Sequence, residues 1–162
     1  MTLLSQLTIN GLIAGSIYAL VASGFSLIYG TNKFMHFAHG ASVAVAGYIL
    51  FSLFSIFGIG FYFSILLTLV LAALFGLFLY RAVYLPLQKR NASKVILLVA
   101  GLALLILFEN IIQSIFGAQV KTIGSFDYKV LNILGGSITY LQVFIIFISI
   151  LIFLFLNFFM RK

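Results

Sequence analysis

Residues Val95–Phe116 read VILLVAGLALLILFENIIQSIF, and this stretch decides the fold. Its only charged residue is Glu109, and it holds neither proline nor a turn pair. A helix needs roughly 20 apolar residues to cross the hydrocarbon core of a bilayer, and an unpaired apolar strand would leave its N–H and C=O groups unsatisfied in lipid. The stretch is therefore predicted to be a membrane-spanning helix. Four more stretches of the same kind flank it: Leu7–Tyr29, Ala38–Phe57, Phe61–Tyr80 and Tyr140–Phe159. The predicted fold is all-α, a polytopic transmembrane bundle of about five spans forming one domain over residues 1–162.

Composition agrees. The 162-residue chain is 64% hydrophobic and 7% charged, with mean hydropathy +1.30, against about half and about a quarter in soluble domains. A small soluble domain could not hide this much apolar surface, which excludes a cytosolic enzyme, a secreted module or a disordered tail. The net charge of +7 does not signal nucleic acid, because the basic residues sit between apolar runs as topology signals do. Cysteine is absent, so no disulfide, thiolate metal site or iron–sulfur cluster is available. The first basic residue is Lys33, so the N-terminus lacks the positive region of a cleavable signal peptide.

The connections set the orientation. Thr31–Phe37 is a short polar turn, Gly58-Ile59-Gly60 a tight one, Arg81–Lys94 a basic loop with the only proline, Pro86, and Gly117–Thr139 a long loop. Within the last, Gln119–Ile123 and Tyr128–Ile133 have extended character and are predicted to pair as a hairpin. Placing the first and third loops in the cytoplasm puts Lys33, Arg81, Lys89, Arg90, Lys94, Arg161 and Lys162 inside and leaves Lys121 and Lys129 outside. The positive-inside bias thus predicts an exterior N-terminus, a cytoplasmic Arg81–Lys94 loop and a cytoplasmic C-terminus.

Polar and small residues within the spans are the candidate functional positions. Gly11 and Gly15 form a small-xxx-small pair that lets another helix approach, with Asn10 and Tyr18 beside them. His36-Phe37-Ala38-His39-Gly40 opens the second span, and its histidines share a face if the helix has already begun. Three readings are open: interfacial groups bonded to backbone carbonyls, the lining of a hydrated pathway, or ligands to metal or haem. The last lacks a third protein ligand. Glu109, Asn110 and Gln113 form an intramembrane polar patch; a carboxylate at that depth costs roughly 2.5–3.5 kcal/mol on insertion scales, so Glu109 must be protonated, face another helix or meet water. No GxSxG, HExxH or G-x-x-x-x-G-K-[ST] pattern occurs, so neither catalysis nor a Walker nucleotide site is expected.

Read together, Ile9-Asn10-Gly11-Leu12-Ile13-Ala14-Gly15-Ser16-Ile17-Tyr18-Ala19-Leu20, Gly24-Phe25-Ser26-Leu27-Ile28-Tyr29-Gly30 and Phe37-Ala38-His39-Gly40 resemble the N-terminal signature of the H-type permease subunit of branched-chain amino acid ABC importers. Tyr84-Leu85-Pro86-Leu87 resembles the family's Arg-Pro-Leu loop, and Phe108-Glu109-Asn110 its Leu-Gln-Asn. Two positions depart: His36 stands where the family usually has Asn, and Glu109 where it usually has Gln. Family members continue through a cytoplasmic coupling segment and further helices, so the chain is expected to be an N-terminal portion, a truncated frame or one half of a split gene.

The resemblance implies a multi-pass subunit of the bacterial inner (plasma) membrane. It would form part of the translocation pathway of an ATP-driven importer for branched-chain amino acids. Implied partners are a second permease subunit, two cytoplasmic ATPase subunits that hydrolyse ATP, and an exterior solute-binding protein. No cofactor or metal is expected on this chain. His36, Phe37, His39 and Gly40 are the candidate pathway residues, and Asn10, Gly11, Gly15 and Tyr18 the candidates for helix packing near it. Relatives with the same signature import urea, short amides or other amino acids, and a non-transporting membrane scaffold is the alternative from another class.

Overall fold

The computed structural model describes residues 3–123, 130–133 and 136–160. The chain forms α1 (Leu3–Asn32), α2 (Ala38–Phe51, continued by a π-helical turn at Ser52–Ile56) and α3 (Phe61–Leu79, followed by a π-helical turn at Tyr80–Tyr84). Then come α4 (Leu85–Lys89), α5 (Lys94–Phe116), an antiparallel hairpin of β1 (Val130–Ile133) and β2 (Gly136–Thr139), and α6 (Tyr140–Met160). Among the described residues, five segments are long and apolar enough to cross a membrane: Leu3–Asn32, Ala38–Ile56, Phe61–Lys89, Lys94–Phe116 and Tyr140–Phe158. Their outer faces carry exposed Leu66, Leu69, Val99, Phe147 and Leu154, a surface that only lipid or another apolar protein solvates. The protein is an all-α, multi-pass membrane protein.

Two compact units emerge, one built from residues 28–124 and the other from residues 1–27 and 125–162. In the first, α2 packs on both α3 and α5. Small residues permit this: Ala38 and Ala41 are fully buried, as expected where close packing must drive helix association in lipid. Phe34, Ala38, Leu79, Tyr84, Leu97 and Leu104 form the core, with Phe75 and Phe108 meeting edge-to-face at 4.8 Å beside it. Between α2 and α3 the predicted tight turn is present: Gly58 takes φ +65° and the Ile59 N–H donates to the Leu53 carbonyl at 3.0 Å.

The predicted Arg81–Lys94 loop is a correction. The backbone stays helical to Lys89, and only residues 90–93 connect it to α5. Proline has no N–H and its ring crowds the carbonyl four residues back. The π turn just before Pro86, closed by the Leu85 N–H on the Tyr80 carbonyl, offsets the ladder there, and Pro86 then sits in the first turn of α4, where its missing donor costs least. The stop comes later, at Asn91 with φ +54°. The Asn91 N–H donates to Gln88 at 3.0 Å and the Ala92 N–H to Leu87 at 3.0 Å, the double bond of a Schellman ending. Ser93 then caps α5, its side chain accepting the Ile96 N–H at 3.4 Å.

In the other unit, α1 has no buried residue along its length. The hairpin pairs Val130 with Thr139 and Ile133 with Gly136, a second correction: residues 119–123 form no strand, and Val130–Ile133 pairs with the segment that follows it. Asp127, Lys129 and Gly135 of the long loop lie outside the described residues, as do Arg161 and Lys162. The Gln6 carboxamide ties α1 to β2: its Nε2 donates to the Ser137 carbonyl at 3.2 Å, and its Oε1 accepts the Ser137 N–H at 2.9 Å and hydroxyl at 3.2 Å. Thr139 and Gln142 form a reciprocal capping box at the start of α6: the Thr139 N–H reaches Gln142 Oε1 at 2.8 Å, and the Gln142 N–H reaches Thr139 Oγ1 at 3.4 Å.

Candidate functional site at the start of α2

The chain between α1 and α2 reverses at Lys33, whose φ of +56° is left-handed and whose N–H donates to the Tyr29 carbonyl at 2.9 Å. That turn drops Phe34 into the core, 5% exposed, with its ring centroid 5.4 Å from that of Tyr84. The His36 ring lies 4.5 Å from Tyr84 and 6.0 Å from Phe34. The helix itself begins at Ala38, so His36 precedes it. The His36 and Phe37 carbonyls accept the N–H groups of His39 and Gly40, both at 3.0 Å.

A recess of about 380 Å³ opens on this segment. His36, His39 and Ser42 line one side, Asn32 and Ile28 of α1 another, and Tyr80, Tyr84 and Gln88 of the π turn and α4 a third, with Ala72 and Gly76 on α3. Among the described residues, no carboxylate lines it. The N-cap of α2, Phe37, makes no capping side-chain bond. Burial, and secondarily the neighbouring His39, lower the pKa of His36 from its usual 6.5; the imidazole is therefore neutral at pH 7. The recess thus offers hydrogen-bonding side chains with no carboxylate among the described residues that line it, a setting that suits a carboxylate-bearing solute.

Behind the recess, Tyr84 is 1% exposed and its hydroxyl has no hydrogen-bond partner. A Cβ placed on Gly101 would lie 2.9 Å from that hydroxyl, 3.3 Å from the Phe37 nitrogen and 3.6 Å from the Ala38 nitrogen. Gly101 is therefore what lets α5 cross this close to the start of α2.

The predicted site residues divide. His36 and His39 line the recess. Phe37 and Gly40 stand against α5: the Phe37 backbone faces Gly101, and a Cβ on Gly40 would lie 3.3 Å from Leu105 Cδ1. Asn10, Gly11, Gly15 and Tyr18 are exposed on α1, and among the described residues nothing approaches a Cβ position on Gly11 or Gly15 within 4 Å. Asn10 accepts from Gln6 Nε2 at 3.3 Å. Glu109, Asn110 and Gln113 are exposed on α5, where Asn110 Nδ2 donates back to the Ile106 carbonyl at 2.7 Å. Among the described residues, no three His, Cys, Asp or Glu side chains gather in one place.

Sequence reasoning missed Asn32, Ser42, Tyr80, Tyr84 and Gln88. One signal was available: Ala72, Gly76, Tyr80, Tyr84 and Gln88 recur every four residues, a single stripe if the helix runs on. Reading Arg81 and Pro86 as a loop hid it.

Comparison with known proteins gives the family. Residues 7–162 match the model for the permease component of branched-chain amino acid transport systems. The high-affinity branched-chain amino acid transport system permease protein BraD of Pseudomonas aeruginosa is 27% identical over 97% of this chain and 55% of its own length. The probable branched-chain amino acid transport permease protein LivH of Methanocaldococcus jannaschii is 33% identical over 74% of the chain and 38% of its own length. The corresponding LivH of Escherichia coli K12 is 29% identical over 70% and 39%. The chain thus spans between about two-fifths and just over half the length of these relatives, and no solved structure matches it. With a family model covering it from the first span to the last residue, the chain belongs to the family of branched-chain amino acid transport system permease components.

Proposed function

We propose that this chain is a membrane subunit of an ATP-binding-cassette importer for branched-chain amino acids, and that the recess at the start of α2 lies on the solute pathway. The observation that carries the reading is the family match over residues 7–162; the recess adds to it. Its acid-free lining of His36, His39, Ser42, Asn32 and Gln88 can hold a solute carboxylate, while Ile28, Phe34 and Ala72 offer an apolar wall for a branched side chain. Of the four pathway candidates, His36 and His39 contact the solute on this reading, while Phe37 and Gly40 hold α2 against α5.

The energy comes from outside the chain. Two ATPase subunits hydrolyse ATP, a second permease subunit completes the pathway, and an exterior solute-binding protein delivers the amino acid. Alternating access then requires the start of α2 to move against α3 and α5. Lys33, Arg81, Lys89, Arg90 and Lys94 gather at the recess end of the spans, and the positive-inside bias supports placing that end in the cytoplasm of the inner membrane. The N-terminus would then be exterior. Asn10, Gly11, Gly15 and Tyr18 present the α1 face that a partner helix covers.

The test is uptake. Deleting the gene in a strain with no other route should abolish ATP-dependent uptake of labelled leucine, isoleucine or valine, and His39→Ala should lower it in the complemented strain. Unchanged branched-chain uptake with loss of labelled urea or acetamide uptake would move the substrate class. Unchanged uptake of all of them would remove the transport reading.

A further inference from the structure

Among the described residues, two buried side-chain hydroxyls have no hydrogen-bond partner, those of Thr68 and Tyr84. Both stand on one stripe of α3 and its continuation, repeating every four residues from Ser64 to Gln88. From Ala72 to Gln88 that stripe walls the histidine recess. Beyond Ala72 the recess stops. Thr68, one turn or about 6 Å further along, is 8% exposed, and Ser64 after it is wholly buried. The helix packed along α3 is α2.

An unpaired hydroxyl inside a helix needs a reason, because a partner is within reach. Serine and threonine can donate to the carbonyl one turn back. Ser42 does so to Ala38 at 3.1 Å, Ser52 to Tyr48 at 2.8 Å and Ser114 to Asn110 at 2.8 Å. Thr68 does not, and valine would fill nearly the same space with no hydroxyl to leave unpaired. A polar group held dry and unpaired within a span costs free energy, and one that faces protein instead of lipid marks a solute path. We propose that Thr68 contacts the solute in the half of the pathway that is closed here. When α2 parts from this face of α3, the recess extends past Ala72, and the Thr68 hydroxyl donates to the carboxylate of the passing amino acid. The inference rests on the recess being part of the solute pathway, as proposed above, and adds the residue that receives the solute beyond it.

The sequence holds no cysteine, so a single introduced thiol reports access to water. The test is modification of Thr68→Cys by a charged, water-soluble methanethiosulfonate in the complete transporter, in membrane fragments open on both faces. Only a thiolate that meets water reacts, so the rate during ATP turnover should exceed the nucleotide-free rate at least tenfold. Leu69→Cys, on the exposed side of the helix, should stay unreactive in both states. Where the cysteine variant fails to assemble, uptake carries the test. Thr68→Val, at an unchanged membrane level and an equal or higher melting temperature, should lower maximal leucine uptake about tenfold, the loss of one hydrogen bond to a charged group. Thr68→Ser should keep at least half the rate. No reaction of Thr68→Cys during turnover, while His39→Cys reacts and is protected by leucine, would overturn the inference and leave the recess on the pathway. An unreactive or unprotected His39→Cys would remove the pathway reading and this inference with it. Equal reaction at Leu69→Cys, full uptake in Thr68→Val, or an equal loss in Thr68→Ser would also overturn it.

Discussion

Substituting Gly101→Ala tests the packing behind the recess. The added methyl would lie 2.9 Å from the Tyr84 hydroxyl and 3.3 Å from the Phe37 nitrogen. Neither can give cheaply: Tyr84 is 1% exposed, with its ring held between Phe34 and His36, and the nitrogen belongs to the backbone that starts α2. Overpacking of this kind costs about 1–3 kcal/mol, and two rigid neighbours place it near the upper end. Alanine regains about 1 kcal/mol of helix propensity over glycine, leaving about 2 kcal/mol of net destabilisation, about 30-fold in an equilibrium constant at 1.4 kcal/mol per decade. For a chain this size that lowers the melting temperature by about 4–8 °C. The assay is the monodisperse fraction of detergent-solubilised protein after heating. Tyr84→Phe removes the nearer obstacle and a buried hydroxyl without a partner, so alone it should be neutral or stabilising. Combined with Gly101→Ala it should recover at least half the loss, a coupling that only neighbouring residues show. Full stability of Gly101→Ala, or an equal loss with and without Tyr84→Phe, would refute the reasoning.

Three other outcomes follow from the geometry. His36 has a pKa held below 6.5 by burial, so the unfolded chain binds its proton first and stability falls as pH drops from 6.5 through the lowered folded value. Detergent melting curves should show that acid loss, and His36→Asn should flatten it; an unchanged slope would contradict the buried neutral ring. Gln6→Ala removes three hydrogen bonds to Ser137, each worth about 1 kcal/mol. Amide exchange at Ser137 should then rise at least tenfold while exchange in α5 stays unchanged, and equal protection would mean the tie contributes nothing. Gly15→Ala meets no neighbour within 4 Å among the described residues, so it should raise the stability of the isolated chain by up to about 1 kcal/mol. If a partner helix covers that face, the same change should reduce co-purification with that partner.

The spans were legible because their signal is long and continuous: Val95–Phe116 and Tyr140–Phe159 differ from the observed helices only at the ends. What failed was the reading of interruptions. Arg81 and Pro86 look like a stop, yet the stripe from Ala72 to Gln88 shows the helix continuing, and the true stop is Asn91, an ordinary-looking residue in a left-handed conformation. The hairpin was placed in the right loop with the wrong partner strand, since extended propensity at residues 119–123 cannot compete with the local pairing that follows Ile133. At the site, His36 and His39 could be found because ionisable groups at a span boundary stand out. Tyr80, Tyr84 and Gln88 reach the same recess only through tertiary packing.

The continuous rod from Phe61 to Lys89 has 29 residues, about 43 Å at 1.5 Å per residue, against about 30 Å of hydrocarbon. On the positive-inside placement proposed above, the basic stretch from Arg81 onward takes up that surplus at the height of the lipid phosphates. Tyr84 and Gln88 belong to that stretch, so the same placement would carry the floor of the histidine recess out of the oil and into the hydrated layer. Protons would then reach His36 and His39 without crossing any lipid. Exposed Arg81, Lys89 and Arg90 form a collar beside it, each drawing acidic phospholipid with about 1 kcal/mol. The acidity felt by His36 would then be that of a phosphate-rich boundary, lower in pH than the bulk, and the lipid composition of the host membrane would become part of its chemistry.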